Sequence, residues 1–168
     1  VTVAIRPALL SEIEAVRATE RASAQRFVGL MDALAADEPS PASVLADRIE
    51  MGGLLVAEAE GALAAFVMFR PVSDGLYIEQ IDVLPAFERR RIGAGLIDAV
   101  AEHARETGLA RLTLSTFRNV PWNAPYYRRL GFADIADKKL APDLLEIRRE
   151  HLARRLDESA RVFMERAV

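Results

Sequence analysis

Between Leu76 and Ala104 the chain reads LYIEQIDVLPAFERRRIGAGLIDAVAEHA, and its chemistry concentrates in Arg89-Arg90-Arg91-Ile92-Gly93-Ala94-Gly95. Three guanidinium groups supply positive charge. Gly93 and Gly95 have no Cβ, so a bulky group can approach the backbone closely. Leu96, Ile97, Val100, Ala101 and Ala104 then recur at helical spacing, so the glycines open a helix. The first N–H groups of a helix have no internal partner, and the helix dipole puts partial positive charge there. Arginines, glycines and a helix start together suit an anion, and a pyrophosphate fits such a nest better than a single carboxylate does. The stretch is not a nucleotide P-loop, because no Gly-Lys-Ser/Thr follows. It is not a dinucleotide fingerprint either, which needs Gly-x-Gly-x-x-Gly.

One strand must deliver the chain to this turn. From Leu76 to Leu84, apolar residues alternate with Tyr77, Glu79, Gln80 and Asp82. Pro85 ends the run, since it has no N–H for a ladder. Ahead of it the pattern predicts a first strand over Val1 to Arg6 and an amphipathic helix from Leu9 to Leu30, broken near Ala22 to Ala24. A loop over Asp37 to Pro41 leads into a short helix with Pro41 at its first position, ended by Gly52-Gly53. Two runs, 54–59 and 62–70, flank Glu60-Gly61 as a hairpin, and 71–75 form a second turn. After the central helix, Gly108 is its C-cap, 111–116 alternate as a strand and Val120 to Arg129 form a short helix. A strand through Ile135, a charged helix from Pro142 to Arg155 and a last strand over Arg161 to Glu165 complete the chain. The order β-α-α-β-β-β-α-β-α-β-α-β predicts an α/β fold of the α+β type. Its central sheet is mixed and flanked by helices, with a right-handed crossover around 92–107. No repeat or linker divides it, so 1–168 reads as a single domain.

Composition narrows the functions. The chain has 168 residues and a net charge of −3, so no global basic field favours nucleic acid, and the charge at 89–91 is local. It has no cysteine, which excludes a disulfide framework, thiolate metal ligation and a cysteine nucleophile. His103 and His151 stand far apart in helix-like segments and read as surface or helix-face residues, which disfavours a His-based metal site. No apolar run reaches the roughly 20 residues of a membrane span, and no signal peptide opens the sequence, so a cytoplasmic protein is expected.

The spacing Arg90-x-x-Gly93-x-Gly95 after a strand ending in Val83-x-Pro85 resembles the acyl-CoA-binding signature of the GNAT superfamily of N-acetyltransferases. The segment Tyr127-Arg128-Arg129-Leu130-Gly131-Phe132 is similar to that family's Tyr-x-x-Leu-Gly-Phe, and the element order looks like its mostly antiparallel fold. The resemblance implies acetyl-CoA as co-substrate and no metal. It places the pyrophosphate on the main chain of Arg89, Arg90, Arg91, Ile92, Gly93, Ala94 and Gly95. It places the pantetheine and the thioester carbonyl on the main chain of Ile81, Asp82 and Val83, where an N–H would act as an oxyanion hole does. Tyr127 falls on the position that protonates the departing thiolate in many members. Glu79 is the first candidate for the base that takes the amine's proton, with burial expected to raise its pKa. Asp82 is second, on the opposite face by strand parity, and a water chain is the alternative, because 112–116 carry no carboxylate.

The chain also departs from the family pattern. Two glycines of the usual Gln-Gly-Arg-Gly-Ile-Gly are Arg89 and Arg91 here, which fits the pattern if both keep an ordinary φ. The family's CoA-contacting Asn would fall at Val120; Asn119 and Asn123 bracket it, and Asn123 is favoured. The acceptor implied is a primary amine of a small molecule or peptide, with no nucleic acid or membrane partner and with a homodimer left open. An acyl-CoA sensor without catalysis and a transferase of larger acyl groups are the competing readings.

Overall fold

The computed structural model of the chain describes residues 2–154 and 156–168. The expected strand start at Val1 and helix end at Arg155 lie outside the described residues. Seven strands form one sheet in the order β1-β2-β3-β4-β5-β7-β6. These are β1 (Val3–Pro7), β2 (Leu54–Ala59), β3 (Ala62–Val72), β4 (Gly75–Val83), β5 (Arg111–Phe117), β6 (Ala133–Asp134) and β7 (Arg161–Ala167). The helices are α1 (Ile13–Ala24), α2 (Asp32–Ala35), α3 (Ala42–Met51), α4 (Ile92–Glu106), α5 (Ala124–Arg129) and α6 (Pro142–Ala153). The sheet is mostly antiparallel, and β4 and β5 pair parallel, as a helical crossover through α4 requires. Among the described residues no helix is long and apolar enough to cross a membrane.

Local chemistry explains where elements stop. At the β2–β3 hairpin Glu60 and Gly61 both have positive φ, +53° and +76°, the twist that a two-residue hairpin needs. The next turn is tighter than 71–75: β3 runs through Pro71 to Val72, and Ser73 turns the chain at φ +55°. Pro41 precedes α3 with extended backbone (ψ 143°) rather than occupying its first turn, while Gly52 ends that helix in the left-handed region. The expected helix over 120–129 is only Ala124–Arg129: Pro121 disfavours helical backbone at Val120, and Asn123 lies outside the helical region at φ −111° and ψ −117°, while Pro125 sits in the first turn, where its missing N–H costs nothing. The one-turn α2 falls between the expected helix and the expected loop over 37–41, and it begins at Asp32, whose Oδ1 accepts the Gly29 N–H at 2.6 Å.

The chain divides into two compact units, and both β3 and β4 run through each. The first comprises the residues up to Phe69 and Gln80–Ala99. Its core packs Ala8 and Val16 with Leu45, Leu54, Val56, Phe66 and Met68. The second comprises Arg70–Glu79 and Val100–Val168. There Val72, Tyr77 and Phe163 from three strands meet Leu140, Leu144 and Ile147 of the α6 region. His151, read as a surface or helix-face residue, lies on α6 and is buried in this unit with its ring stacked on Phe163.

The parallel ladder begins at Gly75↔Arg111 and ends at Ile78↔Leu114. A Cβ on Gly75 would lie 2.6 Å from the Arg111 carbonyl oxygen, which no side chain tolerates without moving the strand. Gly75→Ala should therefore cost about 2 kcal/mol or more. Gly61→Ala meets open space and should cost only about 1 kcal/mol of left-handed strain. Urea denaturation of both variants checks the order, and equal losses would contradict it.

Candidate active site

The turn between β4 and α4 lies wholly in the first unit. Main-chain bonds close it step by step: Leu84 N–H donates to Ala64 O, Phe87 N–H to Leu84 O, and Gly95 N–H to Arg91 O, which starts the helix ladder. The N–H groups of Ile92, Gly93 and Ala94 thus precede the first intrahelical bond. Arg89 and Arg91 do not keep an ordinary φ; they sit at +61° and +60°. The expectation fails because the turn needs left-handed backbone at both positions, whatever side chain is present. Left-handed residues alternating with ordinary ones aim successive N–H groups at one point, the geometry of an anion nest. Each non-glycine residue so held costs about 1–2 kcal/mol.

Arg90 plays a different part from its neighbours. Its guanidinium donates to Glu60 Oε1 at 2.8 Å and lies 5.1 Å over the Phe87 ring. It anchors the turn to the β2–β3 hairpin, while Arg89 and Arg91 are exposed beside the nest.

In the same unit, Ile81 and Val83 of β4 are half-buried and Asp82 is buried. The Asp82 Oδ1 accepts from Ser23 Oγ at 2.8 Å and its Oδ2 from Gln80 Nε2 at 2.6 Å. Burial pushes this carboxyl up to about 7, against the hydrogen bonds from Gln80 and Ser23.

Glu79 belongs to the second unit. It is half-buried, and its Oε2 stands 3.4 Å from Arg70 Nε, whose guanidinium also lies 5.9 Å over Tyr77. The first candidate base therefore comes with a cationic partner that the sequence did not reveal. Burial, the largest cause, pushes the Tyr77 phenol up to about 12.

Also in the second unit, α5 brings Asn123 and Tyr127 together. Asn123 stands just before the helix, and its carbonyl accepts the Tyr127 N–H at 3.0 Å. Its side-chain Oδ1 is buried with no hydrogen-bond partner among the described residues. A buried acceptor left unpaired costs free energy that a ligand N–H would recover. Asn119 is exposed, and Val120 is buried among apolar residues. The Tyr127 ring is buried edge-on to Tyr126 (5.4 Å) and Phe132 (5.8 Å). Gly131, at φ +93°, makes the Leu-Gly-Phe turn that returns Phe132 to it, with Phe132 N–H donating to Tyr127 O at 3.0 Å. Sequence reasoning missed Ser23 and Arg26, although Arg17, Glu20, Ser23 and Arg26 recur every third residue, a readable polar stripe along a helix.

Known structures place this architecture. The chain superposes on a PaiA N-acetyltransferase from Thermoplasma acidophilum, solved in complex with coenzyme A, at a TM-score of 0.75, with 14% identity and all of both chains covered. Ard1 from Thermoplasma volcanium gives 0.71 at 20% identity, covering 100% of this chain and 99% of that one. The ribosomal-protein-S18-alanine N-acetyltransferase from Escherichia coli gives 0.66 at 17%, covering 99% and 94%. At such identities the likeness speaks for the fold. The sequence profile of the Acetyltransferase (GNAT) family goes further, matching residues 19–132, which run from α1 through the arginine turn to Phe132. That match spans more than half of the protein, and the chain belongs to the GNAT acetyltransferase family.

Proposed function

We propose that the chain transfers an acetyl group from acetyl-CoA directly to a primary amine of a small molecule or peptide. The left-handed backbone at Arg89 and Arg91 carries this reading. A protein that holds two arginines at positive φ ahead of a helix keeps a strained, cationic cluster of N–H groups, and such strain collects at ligand clamps. In this reading the main chain of Arg89–Gly95 holds the pyrophosphate, and the Arg89 and Arg91 side chains add charge. The main chain of Ile81–Val83 takes the pantetheine and polarises the thioester carbonyl; the β4–β5 ladder ends before it, at Ile78. The unpaired Oδ1 of Asn123 accepts a cofactor N–H.

The amine nitrogen attacks the thioester carbon, the C–S bond breaks, and Tyr127 gives its proton to the departing sulfur. Glu79 or a water chain takes the proton that the amine loses. No acetyl-enzyme is required, and the chain has no cysteine to form one.

Calorimetric titration with acetyl-CoA tests the nest. The native protein should bind, and Gly93→Glu, which puts bulk and negative charge at the helix start, should not. Absence of binding by the folded native protein would end this reading. Binding without thiol release across a panel of amines would leave a sensor instead. Arg91→Gly separates strain from charge: it should stabilise the fold by about 1 kcal/mol while weakening acetyl-CoA several-fold. A lower melting temperature would contradict the strain assignment.

Tyr127→Phe should lower turnover by about 100-fold with acetyl-CoA affinity unchanged within about twofold. An unchanged rate would make Tyr127 a packing residue alone.

A further inference from the structure

Strand parity puts Tyr77 and Glu79 on one face of β4. Arg70, from β3, meets both: its Nε stands 3.4 Å from Glu79 Oε2, and its guanidinium lies 5.9 Å over the Tyr77 ring. All three residues belong to the second unit. Arg111 in that unit shows what a well-paired arginine looks like, donating to Glu165 at 2.6 Å and to Asp74 at 2.8 Å. Arg70 Nε is buried with no hydrogen-bond partner among the described residues; Glu79 stands within ion-pair range without the alignment of a hydrogen bond. Arg148 Nε is likewise unpaired, but its Nη2 donates to Asp137 at 2.8 Å, so that arginine already holds a carboxylate.

Arg70 also lines a cavity of about 230 Å³ in the same unit. Val72 and Ser73 wall it on one side, and Glu146, Ile147 and Glu150 of α6 wall it on the other. Pockets for drug-sized ligands run to about 300–1,000 Å³, so this one suits the side chain of a single amino acid better than a peptide.

We propose that Arg70 binds a carboxylate of the acceptor, and that the acceptor is a free α-amino acid with its amine toward Glu79 and its side chain in the cavity. This rests on the transferase reading, which sets the amine beside Glu79.

Three features favour a zwitterion over other amines. A buried N–H without an acceptor costs free energy that a ligand oxygen recovers, and a carboxylate can take two N–H groups of one guanidinium side by side. Arg70 and Glu79 set opposite charges next to each other, and an α-amino acid carries its carboxylate and ammonium on one carbon. A carboxylic acid without an amine would bring a second negative charge beside Glu79, and an amine without a carboxylate would meet the charge of Arg70 with nothing to offer it. Third, Tyr77 does not compete as an anion, because burial keeps its phenol protonated.

Thiol release from acetyl-CoA tests this with matched acceptors: L-alanine, L-leucine, L-glutamine and L-phenylalanine, each beside its carboxamide and its decarboxylated amine. In the native protein kcat/KM for the acid should exceed that for either partner by at least about tenfold. Arg70→Gln should bring the acid-to-carboxamide ratio down to about one, and Arg70→Lys, which keeps charge and loses the fork, should leave it between the two. Comparing ratios between variants cancels the different basicities of the amines. A purely structural Arg70 would lower both acceptors alike and leave the ratio where it was. Should Arg70→Gln fail to fold, Arg70→Lys carries the test, and an unmoved ratio there overturns the proposal. Native preference for the carboxamides or the decarboxylated amines, or a ratio that survives Arg70→Gln, also overturns it while the transferase reading stands. Absence of acetyl-CoA binding, or binding without thiol release for every acceptor, ends the transferase reading, and the proposal falls with it.

Discussion

Holding L-residues at positive φ is a cost that local sequence does not recover. Arg89 and Arg91 both bear it, so the surroundings must over-determine the turn between β4 and α4. They do so from several directions within one unit. The strand end is tied by Leu84 N–H to Ala64, the bend by Phe87 N–H to Leu84, and the helix start by Gly95 N–H to Arg91. Between the two strained residues, Arg90 is fixed by Glu60 and lies over Phe87. An exposed ion pair contributes little by itself. Here its geometry matters more than its energy, because it locates the residue between the two that must turn left. Glu60 is itself a positive-φ hairpin residue, so one strained turn helps to hold another.

Buried polar groups elsewhere follow the same logic. The first unit buries Asp82 with Ser23, and the second buries His151 against Glu158, with Nδ1 2.6 Å from Oε1. Burial lowers the His151 pKa most, with Arg161 adding to that and Glu158 opposing it. Apolar side chains of similar volume would often stabilise a fold as well or better. What polar groups add is direction, since each accepts only the partner that satisfies it. His151 fixes the end of α6 against the chain just ahead of β7. Asp82 fixes the end of α1 against β4.

Much of the fold was legible because it follows periodicity and turn chemistry. The hairpin at Glu60-Gly61, the stop at Pro85, the break after Ala24 and the C-cap at Gly108, with φ +75°, all have local causes. The shortened α5 was less legible, since two prolines compete over its start. The candidate site was legible as a pattern and not as a geometry. Arg-x-x-Gly-x-Gly points to a turn ahead of a helix, but side-chain identity does not report φ, and two arginines in glycine positions read as ordinary backbone. Likewise Glu79 shows as a strand carboxylate, and its proximity to Arg70 depends on strand pairing nine residues apart. Ser23 and Asp82 are 59 residues apart, so their bond exists only once α1 packs on β4.

Strand β4 shows why a site of this kind leaves so faint a trace in sequence. Its side chains serve packing: Leu76, Tyr77 and Ile78 are buried, and Gln80 and Asp82 hold one another. The groups proposed to meet the thioester are the N–H and C=O of Ile81–Val83, which every residue but proline supplies alike. The Asp82 carboxyl group helps to set the position of that backbone, since it accepts from Ser23 of α1 and from Gln80 of its own strand. Functional residues here therefore divide into two kinds. In the transferase reading proposed above, Gly93, Gly95 and Tyr127 act by meeting the cofactor. Residues such as Asp82 are fixed only by what they hold in place, and they become visible when burial and hydrogen bonding are read together.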